Sequence, residues 1–156
     1  MARAWNTTDE KNIDGIPWIR ELPTMVVGIN TSHGLGQDSI SVVAATVGLD
    51  VGCMQFAHSL RVQTKDSVLS KPTIMAITKS LYIQFEQHTG CKPMRLLLYR
   101  DGASEGEFDR LIAREIAAVR LALYELKEQD ALSKGETFTC PNEKWCNKNG
   151  LVNFLI

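Results

Sequence analysis

The stretch Met94-Arg95-Leu96-Leu97-Leu98-Tyr99-Arg100-Asp101 constrains this chain more than any other. Its apolar run is nearly continuous rather than alternating, the pattern of a strand covered on both faces. Such a strand needs paired neighbours and layers above and below it, so the rest of the chain must supply a sheet and helices. The run stops at an acid followed by Gly102, and a helical pattern starts directly after. Two readings of Asp101 are open. It is a solvated turn residue that balances the dipole of the following helix, or it points into a site that needs negative charge.

The neighbours are legible upstream. PTMVVGINTSH (23–33) is a short apolar run ending in polar residues, GLGQD (34–38) is a turn cluster, and SISVVAATVGLD (39–50) is a second strand, apolar on both faces in its middle. VGCM makes a tight connection to QFAHSLRVQ (55–63), which alternates as a third strand. Short Gly-containing links favour an antiparallel meander. The period then changes. Ser70 can cap a helix, Pro72 fits its first turn, and Ile74, Ile77, Leu81 and Phe85 keep helical spacing up to Gly90. Beyond the central run, Ser104 with Glu107 fits a capping box. It opens a long helix whose core stripe is Phe108, Ile112, Ile116, Val119, Leu123 and Leu126. GETFTC (135–140) reads as a fifth strand. The order β-β-β-α-β-α-β predicts an α/β domain with a mixed sheet of about five strands, a three-strand meander and then β-α-β-α, flanked by helices. That is the order of a ribonuclease H-like fold. Residues 1–22, with Gly15 and Pro17 as breakers, read as a lead-in, 23–140 as the domain and 141–156 as an irregular tail.

A chain of 156 residues suits one domain, and its 44% hydrophobic and 22% charged fractions are ordinary for a globular protein. The net charge of −1 excludes a globally basic nucleic-acid binder, so any such site must be local. MARAWNTTDEKN lacks the apolar core of a signal peptide, and no apolar stretch is long enough to cross a bilayer. The expected compartment is the cytoplasm or nucleus, with reduced thiols. Cys53, Cys91, Cys140 and Cys146 form no C-x-x-C pair, so a zinc site is not expected.

YRDGASEGEF resembles the YRDG-x-SEG-x-F signature of PIWI domains in Argonaute proteins. PTMVVGINTSH is similar to the strand those domains write as apolar-G-x-D-x-T/S-H. SISVVAATVGLD, LRVQ and LYIQFEQHTGCKPMRLLLYRDG follow in the same order, and the likeness runs from about Ile16 to about Phe138. The resemblance implies binding of a small guide RNA and complementary RNA in RNA silencing. In slicing members it also implies cleavage of the paired RNA with Mg²⁺ or Mn²⁺, and it extends to docking of Argonaute-partner proteins.

Two-metal hydrolysis places divalent cations about 3.5–4 Å apart, and such hard cations want carboxylate oxygens. Strands about 4.8 Å apart let acids on neighbouring strands converge on such a pair. The resemblance gives Asp101 the role of one family acid. It places Asn30 where the family has its first Asp, and a neutral amide brings no compensating charge. The family's Glu would lie in TKDSVLSKP (64–72), where Asp66 is the nearby acid and a poor substitute. No acid after residue 138 matches the last ligand. His33 matches the His of the first-strand motif, which is not a ligand. Asp101 and Asn30 are thus the candidate metal positions, with Mg²⁺ or Mn²⁺ not expected to be productively bound. Arg61 and Arg100 are candidate phosphate contacts, although strand-end arginines more often form ion pairs. The expected function is guide and target RNA binding without cleavage; an active slicer in complete form and a protein-interaction module are the alternatives.

Overall fold

Local chemistry sets the best-defined element. Ser70 caps the helix α2 (Lys71–Thr89) by accepting from the Thr73 amide, with Pro72 in the first turn. Gly90 closes it in the left-handed region at φ 71°, and its N–H reaches the Glu86 carbonyl at 2.9 Å. Thr73, Ile74, Ile77, Leu81 and Phe85 are buried along its inner face. The computed structural model describes residues 17–35, 40–52, 54–64, 68–101, 105–136 and 153–154.

The meander is present as expected. β1 (Thr24–His33) pairs antiparallel with β2 (Ile40–Gly48), which pairs antiparallel with β3 (Phe56–Thr64). Asp50 ties the β2–β3 connection by accepting from the amides of Met54 and Gln55, both at 2.8 Å. β4 (Arg95–Arg100) lies beside β1 and parallel to it, and the sheet order is β3-β2-β1-β4-β5. β5 is Asn153–Phe154, parallel to β4. Of the strand expected at 135–140 only the first two residues are described, and there Gly135 forms a turn after the last helix with φ 72°. Residues 137–140 lie outside the described residues, as do the lead-in up to Ile16, most of the 141–156 tail, Ser104, Cys53, Cys140 and Cys146.

The second half of the chain is helical from Glu105 to Ser133. A 3-10 turn (Glu105–Glu107) leads into α3 (Phe108–Leu111), a wide π turn (Ile112–Ile116) and α4 (Ala117–Ser133). Glu107 sits at the N-cap of α3 without a side-chain cap bond. The π turn also corrects the expected stripe. A wider turn rotates the helix face, so Ile112 is 45% exposed while Leu111, Glu115, Ile116, Ala118, Val119 and Ala122 are buried.

Both long helices cover one face of the sheet. The core packs Met25, Val27, Ile29, Val43, Ala45, Val47, Leu96 and Leu98 against α2 and α4 residues including Ile74, Ile77, Leu81, Phe85 and Val119. The Lys79–Glu125 ion pair at 2.5 Å joins the two helices. On the other face β2 and β3 expose Ile40, Val42, Phe56, Leu60 and Val62. The central run is therefore covered on both faces only at Leu97, and Tyr99 is 47% exposed. From Ile40 to Val47, β2 alternates between exposed and buried residues, rather than being apolar on two buried faces. At the start of this open face, α1 (Pro17–Glu21) meets β4: the Arg95 guanidinium stacks on Trp18, donates to its carbonyl at 2.6 Å and pairs with Glu21. No helix among the described residues is long and apolar enough to cross a membrane.

Phe85 is fully buried, so Phe85→Ala is expected to cost about 3–5 kcal/mol. A lower urea midpoint with an unchanged slope checks this. Burial, followed by the charges of Glu86 and Asp130, pushes the Tyr82 phenol up to about 12. Stability from the neutral phenol is fully present below the unfolded value of about 10. It is lost as pH rises through the folded value. Urea unfolding at stepped alkaline pH is expected to show this loss, and Tyr82→Phe to remove that component.

Candidate functional site

Register brings the two candidate acid positions together. The β1–β4 ladder ends at Ile29 opposite Arg100, and the Asp101 N–H donates to the Ile29 carbonyl at 3.0 Å. The next residue of β1, Asn30, therefore stands beside Asp101 on the open side of the sheet. Its Nδ2 donates to Asp101 Oδ2 at 3.1 Å, and both residues are exposed. An ionised carboxylate only accepts, so the amide must turn its NH₂ to Asp101. The hydrogen bond supplies the positive end of a dipole where a cation would supply full charge.

His33 braces the end of β1, with Nδ1 at 2.7 Å from the Oγ of the fully buried Ser41. Asp66 lies outside the described residues. Among the described residues no three His, Cys, Asp or Glu side chains converge on a point. One carboxylate and one amide do not fit a pair of close divalent cations, which need several anionic oxygens.

Arg100 forms the ion pair that strand-end arginines more often make, here buried, while Arg61 makes a backbone contact. Arg100 points to the helix side, where its Nε donates to Glu115 Oε2 at 3.0 Å; the two side chains are 4% and 3% exposed. Its Nη1 also reaches the Asp101 carbonyl. A guanidinium held this way faces a carboxylate rather than solvent, so Arg100 is not placed to meet phosphate. Arg61 is half-buried on β3 and donates to the Leu60 carbonyl at 2.7 Å. It pairs with Val43, whose side chain is in the core, so it lies on the helix side of the sheet and two strands away from β1. Neither arginine joins Asn30 and Asp101 on the open side.

Glu115 is the residue that sequence reading missed. Besides Arg100, its carboxylate accepts from the Leu69 amide at 2.7 Å, just before the α2 cap. The available signal was its place four residues after Leu111, an acid at core spacing with an arginine at a nearby strand end.

Comparison with known proteins places this geometry in context. The Piwi domain family matches residues 8–134. Protein argonaute MEL1 of Oryza sativa subsp. japonica is 31% identical over 129 residues, covering 74% of this chain, and protein argonaute PNH1 of the same organism is 30% identical over 127 residues, covering 72%. The chain spans 12% and 13% of the length of these two relatives. Kluyveromyces polysporus Argonaute with a guide RNA superposes with a TM-score of 0.64 at 20% identity, over 77% of this chain and 13% of that one. The MID-PIWI domains of N. crassa QDE-2 superpose with a TM-score of 0.59 at 19% identity, over 92% of this chain and 38% of that one. These likenesses establish the ribonuclease H-like fold.

Asn30→Asp would set a second carboxylate against Asp101. Without divalent cation this repulsion is expected to lower stability by about 1 kcal/mol, the scale of exposed charge pairs. Millimolar Mn²⁺ should recover the loss by binding the folded state. The thermal midpoint of the unmodified chain should not respond to Mn²⁺. Thermal melts of both proteins with and without Mn²⁺ measure this.

Proposed function

Because this chain belongs to the Piwi domain family, we propose that it is an RNA-binding module of the Argonaute type, one that holds guide and complementary RNA without cutting it. The observation that carries the second half of this reading is the hydrogen bond from Asn30 to Asp101. The backbone brings two side chains together where two carboxylates would bind a cation, but one of them is a neutral donor. The RNA-binding half is supported by the family match and by the likeness to an Argonaute solved with a guide RNA.

The preserved backbone arrangement favours one second reading: guide-directed cleavage would need an acid at position 30. One experiment separates the two. A labelled RNA is titrated at 50 and 200 mM salt, then incubated with a guide, the complementary strand and Mn²⁺, using the unmodified chain and Asn30→Asp. Contact with two or three phosphates of a single strand predicts about a tenfold loss of affinity between the two salt concentrations. The complementary RNA should stay intact with the unmodified chain. A discrete metal-dependent cut by that chain overturns the proposal. A cut by Asn30→Asp alone would place the block at that single position. No binding at either salt concentration removes the RNA reading.

A further inference from the structure

We propose that Glu115 is a positioning residue for the Asn30–Asp101 pair, acting through Arg100. This deepens the reading above, from which it takes the Asn30–Asp101 pair as the site. Arg100 and Asp101 are adjacent in the chain but face opposite sides of the sheet. The Arg100 guanidinium is clamped by Glu115 on the helix side and touches the Asp101 carbonyl. The Asp101 amide is held by the Ile29 carbonyl, and its carboxylate accepts from Asn30 on the open side. The other Glu115 oxygen accepts from the Leu69 amide. One buried carboxylate thus joins the end of β4, the approach to α2 and the π turn that carries it.

Energetics point the same way. A buried ion pair contributes little over apolar residues of similar size, whereas losing one partner leaves an uncompensated charge. Both Glu115 oxygens are used, one by β4 and one by the segment leading into α2, and the wide turn that presents the residue interrupts an otherwise regular helix. Wide turns of this kind recur at functional sites. The pair's distinctive contribution is therefore the placement of Asp101, which a hydrophobic substitute would not reproduce.

The test uses the double variant Arg100→Met/Glu115→Gln, which removes both buried charges while the Gln carbonyl still accepts from Leu69. The readout is the side-chain amide signal of Asn30 in ¹⁵N–¹H spectra of the whole chain, with no RNA or metal present. The variant is expected to keep its fold by circular dichroism while the Asn30 amide pair shifts to the position it takes in Asp101→Ala. The control Lys79→Met/Glu125→Gln, which removes the half-buried ion pair between α2 and α4, should leave that signal in place. An unmoved Asn30 signal in the folded double variant overturns the proposal. Loss of the fold also overturns it, since the contribution would then be to stability rather than to placement. Because no RNA takes part, failure here is distinct from failure of the RNA-binding reading.

Discussion

Six residue pairs between β1 and β4, Thr24–Arg95 through Ile29–Arg100, hold the structure together. They join two distant segments of the chain in parallel, which requires a crossover connection, and α2 lies in it. The same register aligns Met25, Val27 and Ile29 with Leu96 and Leu98 beneath the helices. A slip of one residue would turn this apolar set to the open side and expose it. Burial of the core therefore specifies the register. The register in turn decides that Asn30 and Asp101 meet, because both lie one step beyond its last pair.

What could be read from the sequence follows from how local each signal is. The meander and α2 were legible because short turns, Ser70, Pro72 and Gly90 act within a few residues. The meeting of Asn30 and Asp101 was legible through the family resemblance, which carries long-range pairing that periodicity does not. The face of the last helix was misread at Ile112 because one π turn changes the period in mid-helix, and no residue type announces such a turn. β5 is two residues long and falls below any periodic signal. Arg100 was ambiguous for a different reason. A strand-end arginine reads the same whether it meets a phosphate or a carboxylate delivered by a helix.

On the proposed RNA-binding reading, the surroundings of the pair limit the approach of RNA. Among the described residues, the open face is mainly apolar and uncharged, and its one cationic side chain, Arg95, is engaged by Glu21 and Trp18. Phosphate contacts from this face are consequently few, in keeping with a chain of net charge −1. On the proposed RNA-binding reading, this face contributes few phosphate contacts, and affinity should weaken readily with salt.

At that rim the identity of residue 30 sets the charge. Two carboxylates at about 4 Å repel each other by roughly 1 kcal/mol even in bulk water. Both would also repel an incoming phosphate unless cations were bound between them. An amide at position 30 removes one of these charges and donates a hydrogen bond to the other. The pair is then satisfied with no cation present, and one less negative charge opposes RNA. In the proposed reading one feature serves both halves: a neutral donor stands where two-metal chemistry would require an acid, and it lowers the negative charge that a nucleic acid would meet at the rim.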